Sequence, residues 1–463
     1  MGGYGQKIIR TPNIDKLIEE GMHFTQHYSG SPVCAPSRCV LLTGKHPGHA
    51  YIRTNRFYPP EGNEPIPENT WTIAKMFQNS GYETGGFGKW GLGGVDSSGA
   101  ALKQGFDRFY GYYCQTHAHW FHPKHLWHDT TKILLDNPDV PHTGRIPPEA
   151  DPHDRSNYSL FEGKVYGPDL YSEQALRFIR DNKDRPFFLY YPTLVPHLPL
   201  SVPEDSLREY EGLWSDPPYV GGNGYLPNRT PRATYAAMVT RMDREIGRMM
   251  ALVKELGLDN DTIFVFTSDN GPAYDRLGGT DSEFFDSTGG LRGLKGSLYE
   301  GGVRVPMVVR WTGRVRAGSV SDRVTGFEDW MPTFADLLGI ENEAGDIDGI
   351  SFASTLEGKL QEKRSFLYRE FPSYGGQQSV RIGPWKGIRQ NLEKGDDSLK
   401  LELYNLKNDP GESVDVADTH SDIVARIEKI MRQQHRPSKT FPFPALDQLS
   451  AENSDAGKND PLK

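Results

Sequence analysis

Apolar positions along the chain fall into two alternating kinds of run. Some repeat every three to four residues, as on one face of a helix; others are short continuous blocks, as in a strand covered on both faces. The first kind marks Ile14–Ile18, with Asn13 as the expected N-cap and Gly21 as the stop, and Trp71–Asn79, stopped by Gly81. It recurs at Leu170–Asp181, at Arg232–Leu256 with Met238, Met242, Ile246, Met250 and Val253 on one stripe, and at Phe327–Leu338. The second kind marks Pro186–Tyr191, Thr262–Thr267 and Val303–Trp311, with a further short strand leading into Gly85–Trp90. This alternation predicts an α/β fold: a large, mostly parallel sheet flanked by helices, with ligands gathered at the carboxyl ends of the strands. From Arg364 the pattern changes to four short strands, Ser365–Glu370, Gln378–Arg381, Trp385–Arg389 and Leu401–Leu406, followed by the amphipathic helix Asp422–Gln434. That predicts a smaller C-terminal antiparallel sheet plus helix. The expected division is a catalytic domain over 1–363, a subdomain over 364–436 and an extended polar tail over 437–463.

Composition then narrows the function. Apolar residues at 36% and aromatics at 11% supply a core, and 50 Gly with 34 Pro point to long loops, where binding and catalytic groups concentrate. A net charge of −9 without a Lys/Arg run argues against a nucleic-acid partner. No apolar run approaches the roughly 18 residues of a membrane span. Cys34, Cys39 and Cys114 cannot build a disulfide framework, and Met1–Gly5 has no charged and apolar leader pattern, so the compartment stays open.

The chemistry concentrates in Cys34-Ala35-Pro36-Ser37-Arg38, followed by Leu41-Leu42-Thr43-Gly44. By itself Cys34 reads as a small buried residue, since a reactive thiol needs a positive neighbour. Asp269-Asn270-Gly271, directly after a predicted strand, reads equally as a turn or as a pair of oxygen ligands. In context, however, Cys-x-Pro-Ser-Arg resembles the signature of the type I (formylglycine-dependent) sulfatases of the alkaline phosphatase superfamily. Gly88–Gly93 is similar to that family's second signature, Ser268–Gly271 to its metal-binding pair and Leu403–Glu412 to its C-terminal hallmark. The four motifs stand in the family's order and span most of the chain.

The resemblance implies a sulfatase hydrolysing a sulfate monoester of a sulfated small molecule or glycan. It implies that a formylglycine-generating enzyme, reading Pro36 and Arg38, converts Cys34 to formylglycine. One hydroxyl of the hydrated aldehyde attacks sulfur and the other later expels sulfate, where a serine would stall as its ester. Arg38 would hold the diol, Lys89 and Lys295 would grip the sulfate, and His197 would protonate the leaving group. Asp269 and Asn270 would bind Ca2+, with Mg2+ as the alternative. The aromatic and His-rich stretch 112–128 suits a sugar ring, which favours a sulfated carbohydrate. Two other readings are a phosphonate or phosphate monoester hydrolase and a truncated, inactive remnant that binds sulfated glycans.

Two departures from the family pattern carry expectations of their own. Many members have His where this chain has Gly91, while five histidines fall within the twelve residues His117–His128. Gln115 and His119 are therefore expected to contact substrate or to replace the missing His. Such density also suits zinc, although the spacing matches no zinc motif. The family pattern also opens with a strand ending in paired aspartates ahead of Tyr-Gly and Thr-Pro-Asn, whereas Tyr4-Gly5 and Thr11-Pro12-Asn13 here follow Met1-Gly2-Gly3 directly. The expectation is that this strand is missing, that metal binding and turnover are weak, and that a periplasmic or secreted location would have been specified in the missing segment.

Overall fold

Local chemistry sets the helix starts in the computed structural model, which describes residues 1–140, 144–222, 224–341, 345–394 and 399–449. The first helix is Pro12–Glu20 with Thr11 as its N-cap, because proline's fixed φ suits the first turn. Asn13, the expected cap, lies inside it and donates its Nδ2 to Asp243 Oδ2 at 2.7 Å. Thr72 caps Ile73–Asn79 by accepting the Lys75 N–H at 3.1 Å, which leaves Trp71 outside. Helices Gly167–Asp181, Pro231–Glu255 and Trp330–Leu338 follow where the periodicity places them.

Strands β1 (Met22–Tyr28), β2 (Glu83–Lys89), β3 (Arg108–Tyr112), β4 (His125–His128), β5 (Thr131–Leu134), β6 (Phe187–Tyr190), β7 (Ile263–Thr267), β8 (Arg304–Trp311), β9 (Ser319–Ser321) and β10 (Thr325–Gly326) form two five-stranded sheets. One runs β10-β1-β8-β7 with β9 also paired to β1, and the other runs β5-β4-β3-β2-β6. The α/β class is as expected, with mixed pairing. β2 is parallel to β3 and β6, whereas β4 is antiparallel to both β3 and β5. The β4–β5 connection, Asp129-Thr130, is far too short for a parallel crossover. Edge strands β6 and β7 both line a cleft of about 1,710 Å³ that holds the candidate site.

The C-terminal sheet is antiparallel in the order β11 (Leu367–Phe371), β12 (Gln377–Ile382), β13 (Trp385–Gln390) and β14 (Glu402–Asn405). Helix Ser421–Gln434 covers it with Ile427 and Met431, which pack on Tyr368, Val380 and Leu403. The Leu403–Glu412 hallmark has a structural job here. Glu412 accepts the Glu300 N–H at 2.6 Å and sits 2.9 Å from Lys386 Nζ, which also pairs with Glu300, so the motif fastens this sheet to the catalytic region.

The expectation of an extended tail from 437 needs correction. Phe441, Phe443 and Leu446 are buried, Phe443 and Leu446 cluster with Leu392, and His435 bridges Glu370 and Asp447 at 2.8 and 2.9 Å. Three apolar side chains in a segment whose average is polar are enough to dock it, and an average cannot show that. Residues 450–463 lie outside the described residues. No described helix is long and apolar enough to cross a membrane.

Candidate active site

Cys34 is the first residue of helix Cys34–Thr43, after the extended Val33. The helix is almost wholly buried and ends at Gly44, whose positive φ makes a left-handed cap. Ser37 Oγ accepts the Gly30 N–H at 3.0 Å and Asn55 Oδ1 accepts the Ala35 N–H at 3.1 Å, so one side chain of the motif and one from the following loop hold the turn. The Cys34 thiol faces the cleft, donating towards Asn270 Oδ1 at 3.8 Å and accepting from Lys295 Nζ at 3.5 Å. Burial alone would raise its pKa; the charges of Lys295 and Lys89 outweigh that and lower it. The helix N-terminus acts in the same sense.

The other groups arrive on loops at strand ends. Lys89 closes β2 after Gly88, whose φ is +134° and where a Cβ would stand 2.4 Å from the Pro192 carbonyl oxygen, so only glycine fits. Burial, reinforced by Arg38 and Lys295 and opposed by Cys34, lowers the Lys89 pKa. The Lys295 N–H donates to Pro272 O and the Gly296 N–H to Pro32 O, both at 2.9 Å, tying the Lys295 loop to the segment before Cys34. Arg38 reaches Asp269 Oδ2 through Nε at 2.9 Å and Nη2 at 2.8 Å, and its Nη1 donates to the Lys89 carbonyl. Burial works against ionisation of Asp269, but Arg38, Lys89 and Lys295 overcome it and depress its pKa. Gly271 follows because a Cβ there would stand 2.0 Å from Gly301 O.

His197 lies in the loop after β6 with Nδ1 2.6 Å from the Leu198 carbonyl. A carbonyl can only accept, so we assign the proton to Nδ1, which leaves Nε2 as the ring's other functional nitrogen. His119 stacks on it with ring centres 4.6 Å apart. Burial and the charges of Lys295 and Lys89 hold His197 well below the usual histidine range, and the same causes bring His119 to about 3. Gln115 donates its backbone N–H to Asn63 Oδ1 at 2.8 Å, and its buried Nε2 has no hydrogen-bond partner. That Nε2 stands 2.7 Å from where a Cβ at Gly91 would be, so Gln115 fills the space that a side chain at 91 requires.

All nine residues singled out from the sequence, Cys34, Arg38, Lys89, Gln115, His119, His197, Asp269, Asn270 and Lys295, line the same cleft. Sequence reasoning missed Tyr225, Tyr274 and Tyr374, which line it too. The Tyr274 and Tyr374 hydroxyls are 2.7 Å apart, and the Tyr374 ring lies against Gly296, next to Lys295. Tyr374 comes from the β11–β12 connection. Its only sequence signal is turn chemistry, Ser373-Tyr374-Gly375-Gly376, with Tyr374 itself at φ +55°.

Asp269 and Asn270 offer the hard oxygens that a calcium ion takes. Asp269 Oδ2 is engaged by Arg38, and among the described residues no group of three His, Cys, Asp or Glu donors gathers there. Two oxygens fall well short of the roughly six to eight of a calcium shell, so this pair does not complete one. The five clustered histidines separate by role. His119 belongs to the cleft, His122 contacts the Val165 carbonyl at 3.2 Å, His128 packs its ring near Tyr110, and His117 and His125 meet at Glu61.

A buried cysteine among two lysines, an arginine and a histidine suits transfer of a tetrahedral, anionic group, and the comparisons specify which. The chain matches the Sulfatase family over residues 1–340 and the family described as N-sulphoglucosamine sulphohydrolase, C-terminal, over residues 294–437. The chain belongs to the sulfatase family, whose enzymes hydrolyse sulfate esters. It is 28% identical to N-acetylgalactosamine-6-sulfatase of Homo sapiens, with 98% of this chain and 85% of that protein covered. It is 30% identical to arylsulfatase A of Homo sapiens, with 89% and 80% covered. Its fold is similar to that of Ps i-CgsB in complex with k-i-k-neocarrahexaose, at a TM-score of 0.75 and 24% identity over 98% of this chain and 94% of that one. It is also similar to BT4656 in complex with D-glucosamine-2-N,6-O-disulfate, at a TM-score of 0.67 and 20% identity over 100% and 96%.

Proposed function

We propose that the protein removes sulfate from a sulfated carbohydrate, with Cys34 as the nucleophile after its conversion to formylglycine by a formylglycine-generating enzyme. The observation that carries this reading is the convergence of Lys89, Lys295, Arg38 and His197 on Cys34 in one cleft. Formylglycine would supply a hydrated aldehyde whose hydroxyl attacks sulfur. Lys295 and Lys89 place fixed positive charge where sulfate oxygens would sit, in a desolvated pocket where such charge acts strongly. Arg38 is tied to Asp269 and to the Lys89 carbonyl, so it holds the floor of the site together.

His197 carries the proton step. In the free protein burial, reinforced by the two lysines, keeps its ring neutral. A bound sulfate ester brings negative charge that offsets them and raises the ring's proton affinity, so the same ring can protonate the departing oxygen. Asp269 and Asn270 would contribute two oxygens to Ca2+ or Mg2+, and no step is assigned to that ion. Gln115 Nε2 supplies an unused donor, and His119, Tyr225, Tyr274 and Tyr374 supply flat, polar-edged surfaces suited to a sugar ring. The carbohydrate assignment draws support from the relatives above whose names or bound ligands are sugar sulfates or carrageenan oligosaccharides.

The test is turnover by the purified, matured protein on sulfated mono- and disaccharides, an aryl sulfate, and phosphate and phosphonate monoesters. The expected result is the highest kcat/KM on a carbohydrate sulfate, abolished by Cys34→Ala, with mass spectrometry showing formylglycine in the Cys34 peptide. Faster turnover of a phosphonate or phosphate ester would reassign the substrate. Saturable binding of sulfated sugars with no sulfate release would favour the glycan-binding remnant.

A further inference from the structure

The histidine-rich segment holds a second constellation that the cleft chemistry does not use. Glu61 lies in the loop that also carries Asn55 and Asn63, His117 opens the single turn His117–His119, and His125 opens β4. One nitrogen from each histidine and the Glu61 carboxylate lie within 4.8 Å of one another. We propose that Glu61, His117 and His125 bind a zinc-like transition-metal dication, which clamps the segment bearing Gln115 and His119 onto the 55–64 loop.

The distances carry the argument. Ligand atoms about 2.0–2.1 Å from a tetrahedral ion stand roughly 3.3 Å apart. His117 Nδ1 is 3.2 Å from Glu61 Oε1, and His125 Nε2 is 3.1 and 3.0 Å from Oε1 and Oε2. The two imidazoles stack with centres 4.2 Å apart, and a nitrogen of each lies within 3.2 Å of Glu61 Oε1. His117 Nδ1 is buried and has no well-directed hydrogen-bond partner, although it points into this cluster. Trp127 Nε1 donates to Glu61 Oε1 at 2.8 Å, the outer support that fixes a ligating carboxylate. Two histidines and one glutamate are also a donor set that zinc accepts with a position left for water. Lys132 opposes the ion: its Nζ lies 3.8 Å from Glu61 Oε2 and balances that charge in the metal-free state. Its side chain is 46% exposed, so it can swing away.

The clamp matters for the cleft because His117 and His119 share one turn, and Gln115 hydrogen-bonds Asn63 two residues from Glu61. Metal binding is read without turnover, so this proposal stands or falls separately from the sulfatase reading.

The experiment titrates the chelator-stripped full chain with Zn2+ by calorimetry and with Co2+ by visible absorption. Excess Ca2+ is present to occupy oxygen-only sites, and Cys34→Ala serves as the background so that the cleft thiol is not a ligand. The expected result is one equivalent bound, four-coordinate Co2+ bands without a thiolate band, and a rise in Tm with Zn2+. Glu61→Gln and His125→Ala should each weaken affinity by more than the roughly 10–100-fold lost with an outer partner. Lys132→Met should tighten it, and His128→Ala should leave it unchanged. No saturable binding, or binding indifferent to both ligand substitutions, overturns the proposal. If those variants do not fold, X-ray absorption of the Zn2+-loaded chain carrying His49→Ala, which breaks the other two-histidine, one-carboxylate group of His46, His49 and Asp348, decides: two imidazole nitrogens support the site, and a shell with fewer overturns it.

Discussion

His197→Ala is the sharpest test of the proton step, because the structure fixes both the ring's position and its starting charge. The Leu198 carbonyl anchors Nδ1 at 2.6 Å and His119 stacks on the ring, so Nε2 is held in place at little further entropic cost. A positioned general acid contributes roughly 10²–10⁴ in rate, and the middle of that range, about 10³, corresponds to about 4 kcal/mol of barrier. That help is needed only when the leaving oxygen is a poor one. On a sugar or alkyl sulfate we therefore expect kcat to fall about 10³-fold, and on a nitrophenyl sulfate by no more than about tenfold. The sign of the pH effect follows from the role. The acid must be protonated, so wild-type kcat on the sugar sulfate should decline as pH rises through the ring's pKa in the complex, and His197→Ala should lose that basic limb. The assay is initial-rate kinetics on both substrates across pH. Equal losses on the two substrates, with the basic limb retained, would falsify the assignment.

Three further outcomes are expected. Removing the nearest cation to the thiol with Lys295→Met, in protein whose Cys34 is unconverted, should raise the thiol pKa and slow alkylation at neutral pH by on the order of tenfold; identical rates would detach the lysine from the thiol. His27 is fully buried, and burial brings its pKa to about 3, with Nδ1 on Thr325 Oγ1 at 2.8 Å. Its unfolded pKa near 6.5 is higher, so the unfolded chain binds the proton first: about 4–5 kcal/mol of stability present at neutral pH is lost as pH falls from 6.5 towards 3. His27→Gln should reduce the slope of denaturation free energy against pH in that window, and an unchanged slope would contradict the buried neutral ring. Phe443→Ala should cost about 3–5 kcal/mol in denaturant melts if the segment after 437 is docked as described; a cost near zero would mean that it is not.

The candidate site was legible in the chain to an unusual depth because its parts are carried by short motifs. Each motif encodes a local conformation as well as a functional group. Gly88 admits the close approach that leads into Lys89, Gly271 lets the Asp269-Asn270 turn pack on Gly301, and Ser37 satisfies Gly30 within the Cys34 turn. The aromatic wall was not legible. Tyr225, Tyr274 and Tyr374 lie far apart in sequence on unrelated connections, and nothing local distinguishes a tyrosine that lines a cleft from one that packs in the core. The placement of Gln115 was legible only in part: the absence of a side chain at Gly91 raised the question of what stands there, and the fold puts the Gln115 side chain in that space. Helix periodicity located the helices but not their caps, as Asn13 shows, because proline's fixed φ decided the boundary.

Determined by the sequence alone, then, were the α/β class, the small antiparallel C-terminal sheet and the candidate residues that meet in one cleft, since periodicity and turn chemistry are properties of neighbouring residues. Tertiary structure alone decided the mixed pairing of the two large sheets, the docking of Phe441–Leu446, the neutral state of His197 and the meeting of Glu61 with His117 and His125. These depend on desolvation, charge and distance between residues tens to hundreds of positions apart, and such quantities exist only once the chain has closed on itself.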